Sequence, residues 1–448
     1  MAKQKSFTPD RVYPHDMHAI LLPLWENAPF FPNWPKVELP AKPVLDLLLD
    51  VCYHASMMTE EGRPTVFRVL FLPSTASVSR QDGPVAPVTK YTFLQTFPFN
   101  EAELRRLAPV ADPRRLLIAV ENIGTSVQPR LQIYGLVDIG MALWEMARHE
   151  RVSGYGSPEA LIVSSSRPGE LYLSRSDRPV ARLRDGKIVS PTDSVLMGGP
   201  VRDFFANADE EFIRSACENV GVEQPSEEDH GLDLAHLRFV ESILLYTAEL
   251  KHGGTLLFVP DEMTHEDSRL VSRVNIKYVL PSTRPQDALV SAMSSRLRHN
   301  AAMDVLQERK TVRREELEAL ETLEEERDRY QDAARDAARF VASLTAVDGA
   351  VVLTDTFRII GFGAEVTASF SGTDKVHIAL DAEGTETREA SFVGYGTRHR
   401  SAFRFTGSME SSVAFVMSQD GGIKAIRQVG AKLLMWQYFK IGFVKALT

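Results

Sequence analysis

Seven consecutive residues, Gly394-Tyr395-Gly396-Thr397-Arg398-His399-Arg400, set a glycine-rich turn directly ahead of a hydroxyl, an imidazole and two guanidinium groups. Guanidinium groups only donate hydrogen bonds, and threonine and histidine donate readily, so the run suits an acceptor-rich anion such as phosphate. The glycines permit positive φ and close approach of a ligand to the backbone. A basic surface turn with no ligand accounts for the same residues, and the run alone does not separate the two.

Two further polar clusters stand beside apolar runs. Asp348 precedes Gly349-Ala350 and the strand-like Val351-Val352-Leu353. Its carboxylate is a hard oxygen donor suited to Mg²⁺ or Mn²⁺, or to orienting a hydroxyl. Ser418-Gln419-Asp420-Gly421-Gly422 follows the apolar run 413–417 and offers Ser418 and Asp420 as a second polar edge. Taken singly, each cluster is also an ordinary turn. Together they would give a nucleoside triphosphate a metal ligand and a phosphate clamp, with the substrate supplying the attacking hydroxyl.

The elements that must carry these groups read as a small α/β domain of roughly 100 residues. Strands are expected at 351–353, 358–361, 376–380, 389–393, 413–417 and 423–427, with a helix after Arg400, and Trp436, Tyr438 and Phe439 closing the core. Upstream, 311–341 lacks proline and glycine and places opposite charges three or four residues apart, which predicts a long linking helix. Its apolar stripe would be Leu317, Leu320, Leu323, Tyr330, Ala334, Ala337 and Phe340, without a sustained heptad. Helices are expected at 208–219, 236–251 and 285–306, and a strand at 255–259. His252-Gly253-Gly254 between them reads as a helix end feeding a strand, with ligand contact as the alternative.

Nearer the amino end, helices are expected at 44–58 and 136–148, and strands at 67–72, 116–120, 160–164 and 170–173. A hairpin over 181–189 turns at Asp185-Gly186. Residues 1–45 combine closely spaced prolines with Trp25, Phe30, Phe31 and Trp34, the pattern of an irregular arm packed on the body or on another subunit. The expected division is therefore an arm (1–45), an α/β sensor-like domain (46–205), a second α/β region (206–308), a long charged linking helix (309–345) and a nucleotide-binding domain (346–448). The fold class is multidomain α/β.

Composition limits the options. A chain of 448 residues with 44% hydrophobic content supports more than one core. A formal charge of -9 and a pI near 5.8 argue against general nucleic-acid binding while allowing a local basic pocket. Two distant cysteines, Cys52 and Cys217, suit a reducing compartment. With no signal-peptide pattern and no run of about 20 apolar residues, the expectation is a cytoplasmic protein without membrane association.

Asp348-Gly349-Ala350 before a strand, Gly396-Thr397-Arg398-His399-Arg400, and Val416-Met417-Ser418 followed by polar residues and glycine together resemble the DisA-type diadenylate cyclase domain. The resemblance spans roughly residues 330–440, and the chain before it suits a sensor region. It implies condensation of two ATP into cyclic di-AMP with release of two pyrophosphates, across a face-to-face homo-oligomer. By the same resemblance, Asp348 would hold Mg²⁺ or Mn²⁺ near the attacking 3′-hydroxyl. Thr397, Arg398, His399 and Arg400 would bind phosphates, with Arg398, His399 and Arg400 catalytic alongside Asp348. Ser418 would contact the triphosphate, Asp420 would compensate for Gln419, and Gly349, Ala350 and Gly396 would let the nucleotide reach the backbone. Three departures stand out. Gln419 and Asp420 follow Ser418 where the family has two acidic residues, and Ser401 replaces alanine. Asp348 and Arg398 are 50 positions apart, more than the family's spacing. The insertion is expected near 369–388, where it would either cover the site or prevent the usual pairing of two copies.

Overall fold

The computed structural model describes residues 11–27, 37–60, 62–76, 88–111, 115–139, 158–165, 168–176, 178–184, 186–189, 194–222, 232, 234–307, 309, 313–369, 375–419 and 422–437. Two compact units divide the chain at Pro191 and Thr192. Both are built on mixed sheets with helices, in keeping with the expected multidomain α/β class.

In the first unit a short 3-10 turn, Pro14–Asp16, runs into α1 (Met17–Asn27). The expected irregular arm is therefore helical here. Met17, Leu21 and Trp25 recur at every fourth residue and are buried, and this face holds the helix despite Pro23 in its interior. Phe30, Phe31 and Trp34 lie outside the described residues. Next comes α2 (Lys42–Ser56), which buries Val44, Leu45, Leu48, Leu49 and Cys52 along one stripe. A two-stranded ribbon of β1 (Thr59–Glu60) and β2 (Arg63–Pro64) precedes β3 (Phe67–Phe71) and β4 (Thr89–Pro98). The unit is completed by α3 (Glu101–Leu107), β5 (Leu116–Asn122), β6 (Leu131–Asp138), β7 (Leu161–Ser165), β8 (Glu170–Arg175), β9 (Arg178–Arg184) and β10 (Lys187–Val189). Its eight-stranded sheet runs β10-β9-β8-β7-β3-β5-β6-β4, and only β3 and β5 are parallel.

The helix expected from Leu136 is not found at its start. Residues 131–138 pair with β4 and β5, and 140–157 lie outside the described residues. The strand is buried on both faces, with Ile133 in one core and Tyr134 and Val137 in the other. That burial erases the alternation by which a strand is ordinarily read.

The second unit opens with α4 (Pro200–Val220) and α5 (Ala235–Glu249), then β11 (Gly254–Val259), the short α6 (Ser268–Val271) and β12 (Val274–Ser282). A helical hairpin follows, α7 (Arg284–Gln307) and α8 (Arg314–Leu344). Then come β13 (Ala350–Thr354), β14 (Ile359–Val366), β15 (Lys375–Ala379), β16 (Thr387–Ser391), α9 (Thr397–Ser408), β17 (Val413–Met417), β18 (Ile423–Val429) and β19 (Lys432–Trp436). Nine strands form one sheet in the order β12-β14-β13-β11-β17-β18-β19-β15-β16. Alternate residues of the central strands serve opposite faces. Leu256, Phe258, Val351, Leu353 and Phe415 pack with α4, α5, α7 and α8, while Leu257, Val259, Val352, Ala414 and Val416 pack with α9 and α6.

This topology corrects the expected boundaries. β11, from the stretch read as a separate region at 206–308, lies in the centre of the sheet between β13 and β17, and β12 forms one edge. Nor is α8 a linker. Its carboxyl half is buried through Gln331, Ala334, Ala337, Ala338, Val341, Ala342 and Leu344, whereas Leu317, Tyr330 and Phe340 from the expected stripe are exposed. The strands expected at 376–380 and 389–393 are found as β15 and β16, overlapping the insertion expected near 369–388. β15 lies parallel to β19 and β16 forms the far edge. The turn between β15 and β16 is tied down by Trp436 Nε1, which donates to the Asp381 carbonyl at 2.9 Å, and by the Thr385 and Glu386 amides, which donate to the Asp381 carboxylate at 2.8 and 3.0 Å. Tyr438 and Phe439, expected in the core beside Trp436, lie outside the described residues.

Candidate functional site

The parallel pairing of β11 with β13 sets Leu256 beside Val351, and the antiparallel pairing with β17 sets Gly254 beside Met417. The amino ends of β11 and β13 and the carboxyl end of β17 therefore meet at one end of the sheet. His252-Gly253-Gly254, Asp348-Gly349 and Ser418-Gln419 share that end. α9 begins above it: a methyl group on Gly253 would stand 3.0 Å from the Met417 carbonyl, 3.1 Å from Arg398 Nη1 and 3.4 Å from the Gln419 amide. Gly253 itself has φ +68, a conformation only glycine adopts without strain. The close approach of Arg398 to this strand end thus depends on two properties of glycine, its missing side chain and its backbone freedom.

Several sequence-predicted residues meet here. Asp348 is exposed, delivered by the buried end of α8 through Thr345, whose hydroxyl donates to the Ala342 carbonyl at 2.6 Å. Thr397, Arg398, His399 and Arg400 occupy the first four positions of α9, with Gly396 as a cap that offers no side-chain acceptor. Three basic side chains and no acidic one stand in or beside the first turn. The partial positive charge of a helix amino end makes that placement unfavourable by roughly 0.3–1 kcal/mol per charge, and a bound anion would reverse the sign. Arg400 Nε is buried without a hydrogen-bond partner.

Other expectations need a different physical reason. Neither Gly394 nor Gly396 adopts positive φ, and a methyl group on either would meet nothing within 4 Å. These glycines keep the backbone open from outside instead of shaping a strained turn. Gly349 does have positive φ, +113, but a methyl group there would lie 2.6 Å from the Gly363 carbonyl carbon, so β14 itself requires this glycine. Ala350 is buried in the sheet opposite Ala364, which leaves only its backbone for any ligand. Ser418 closes its turn, with its amide and hydroxyl both donating to the Gly422 carbonyl at 2.9 and 3.1 Å. Asp420 lies outside the described residues.

Gly253 was read first as part of a helix end, with ligand contact as the alternative, and one contributor escaped the sequence reading. Lys424 on β18 was not singled out, although its Nζ lies 2.9 Å from His399 Nε2 and 5.5 Å from the centre of the Tyr395 ring. Alternation along β18 could have marked Lys424 as facing away from Ala425, but not what it faces.

Among the described residues no three His, Cys, Asp or Glu side chains converge as a metal cage. Asp348, a single exposed hard oxygen donor, fits an Mg²⁺ or Mn²⁺ ion held chiefly by substrate phosphates and water.

The other end of the same strand pair is acidic. Asp355 follows β13, and its amide donates to the Val259 carbonyl at 2.9 Å. Burial pushes its carboxyl up to about 7, and the Asp261 carboxylate adds to the shift. Thr356 donates to Asp261, and Arg358 bonds the Asp261 and Met263 carbonyls.

Comparison with known proteins bears on the first unit. Residues 34–138 match the family model described as "Probable sensor domain DACNV". That stretch runs from just before α2 through β6, so the sensor-like reading of the amino-terminal region has an independent basis. No curated protein matches the chain. Among the described residues no helix is long and apolar enough to cross a membrane.

Proposed function

We propose that the second unit is a diadenylate cyclase regulated by the sensor domain that precedes it. The observation that carries this reading is the meeting of Asp348, the Thr397–Arg400 run and Ser418 at one end of one sheet, with Arg398 seated against Gly253. The DACNV match gives separate support, since that domain is typically found with diadenylate cyclase domains.

In this reading the basic turn of α9 receives the triphosphate. Arg398 and Arg400 neutralise charge that develops on the α-phosphate and the departing pyrophosphate. The α9 amides, uncapped by any side chain of Gly396, add donors along the helix axis. Asp348 would hold Mg²⁺ or Mn²⁺, which supplies charge neutralisation and lowers the cost of deprotonating the 3′-hydroxyl. Each of two ATP molecules attacks the α-phosphorus of the other, so two copies of the site must face one another, and the chain would self-associate as a dimer or larger homo-oligomer. Orientation is the main contribution of the protein, because both nucleophile and leaving group belong to substrate.

A second reading is a nucleotide-binding module without turnover, favoured by Gln419 where the cyclase pattern has a carboxylate. The two separate when purified protein is incubated with ATP and Mg²⁺ or Mn²⁺ and the products are weighed by mass spectrometry. The cyclase reading expects cyclic di-AMP and pyrophosphate, formed at a rate per subunit that rises with protein concentration. ATP bound but recovered unchanged at every concentration would overturn it.

A further inference from the structure

We infer that Lys424 is a positioning residue that fixes the tautomer and orientation of His399. Lys424 lies on β18 next to Ile423, which pairs with Met417 at the same sheet end. Its Nζ stands 2.9 Å from His399 Nε2. An ammonium group carries three donors and no acceptor, so His399 Nε2 accepts and the single ring proton sits on Nδ1. A histidine in this arrangement is neutral. The Tyr395 ring holds the lysine in place. Nζ lies 5.5 Å from the Tyr395 ring centre, within cation–π range, and the Tyr395 hydroxyl is anchored by Gln437 Nε2 at 2.7 Å. Tyr395 and Phe403 flank the imidazole at 5.6 and 6.4 Å between ring centres.

The arrangement resolves a conflict in the first turn of α9. Arg398 and Arg400 are permanently charged, and a third cation between them at the positive end of a helix would repel both. Lys424 moves the third charge off the helix and onto a strand. His399 then presents an Nδ1–H donor. The tautomer stands on this geometry alone. Its consequence for ATP rests on the cyclase reading, in which that donor and the Lys424 charge both serve the triphosphate.

The test is nitrogen NMR of full-length protein labelled with ¹⁵N-histidine, with the His399 signals identified by their loss in His399→Gln. The wild type is expected to show Nε2 as the unprotonated, acceptor nitrogen and Nδ1 as the protonated one. Lys424→Arg should retain that pattern, and Lys424→Met should lose it by moving the proton to Nε2 or averaging the two sites. A protonated Nε2 in the wild type, or an unchanged pattern in Lys424→Met, would overturn the inference. The wild-type spectrum decides the tautomer even if Lys424→Met does not fold. If cyclic di-AMP is formed, Lys424→Met should raise KM for ATP about tenfold, the scale of one lost charge-assisted contact, with a smaller change in kcat. Failure of the cyclase assay leaves the spectrum untouched, so the two claims fail separately.

Discussion

The two ends of the β11–β13 pair differ in how they handle crowded charge of one sign. At the carboxyl ends, burial first and the neighbouring Asp261 second push the Asp355 carboxyl up to about 7, and that group can take up a proton and relieve the strain internally. At the amino ends, Arg398 and Arg400 crowd the start of α9 and cannot shed theirs. In the proposed function, relief there would come from outside, as the triphosphate of ATP. Crowding of like charge therefore marks a candidate ligand site only where the groups involved cannot neutralise themselves. This separates two polar clusters on one pair of strands.

The sharpest way to break the comparison is to invert the basic end. Arg398→Glu sets a carboxylate against the Gln419 turn and should lower ATP turnover more than a hundredfold, removing binding as well as chemistry. Isothermal titration with ATP checks this, and retained affinity would mean that the anion binds elsewhere. Gly253→Val tests the seat beneath Arg398. Its positive φ and the 3.0 Å approach of the Met417 carbonyl predict a loss of about 2–3 kcal/mol in chemical denaturation, with weaker ATP binding in the folded fraction.

The acidic end calls for a smaller change and a pH axis. Asp355 has its folded value raised from 3.8 to about 7. The folded state therefore binds this proton more tightly, and stability falls as pH rises through that interval and levels off above it. Asp355→Asn removes the penalty. The variant should exceed the wild type by about 1–2 kcal/mol at pH 8, after allowance for solvent screening, with the advantage gone near pH 4. Denaturation at the two pH values measures it, and an advantage independent of pH would refute the assigned cause. ATP affinity should not change, because the cluster lies at the opposite strand ends.

Much of this was legible in the sequence wherever the signal was local. The apolar runs at 351–353 and 413–417 gave β13 and β17, and a helix was expected after Arg400, although it begins at Thr397 and takes the basic run into its first turn. What escaped was non-local. Nothing near 254–259 announces that β11 pairs with both β13 and β17, so the expected domain boundary fell inside a single sheet. Gly349 looked like a residue freed for a ligand, yet its glycine is demanded by Gly363, fourteen positions away. Lys424 meets His399 across 25 positions, through a helix, a strand and a turn. The strands expected at 376–380 and 389–393 were legible as β15 and β16, but not that β15 would pair in parallel with β19. The sequence reports which groups are present. Strand register decides which of them meet.

The most direct measurement compares cyclic di-AMP formation by the wild type and by Asp348→Asn, at equal concentration of folded protein, with ATP and Mn²⁺. Asparagine keeps the size of the side chain and removes the charge that would hold the ion at this strand end. The account predicts product from the wild type and a loss of at least about a hundredfold in Asp348→Asn, with ATP affinity reduced far less. Equal product from both proteins, or none from the wild type while ATP binds, would contradict it.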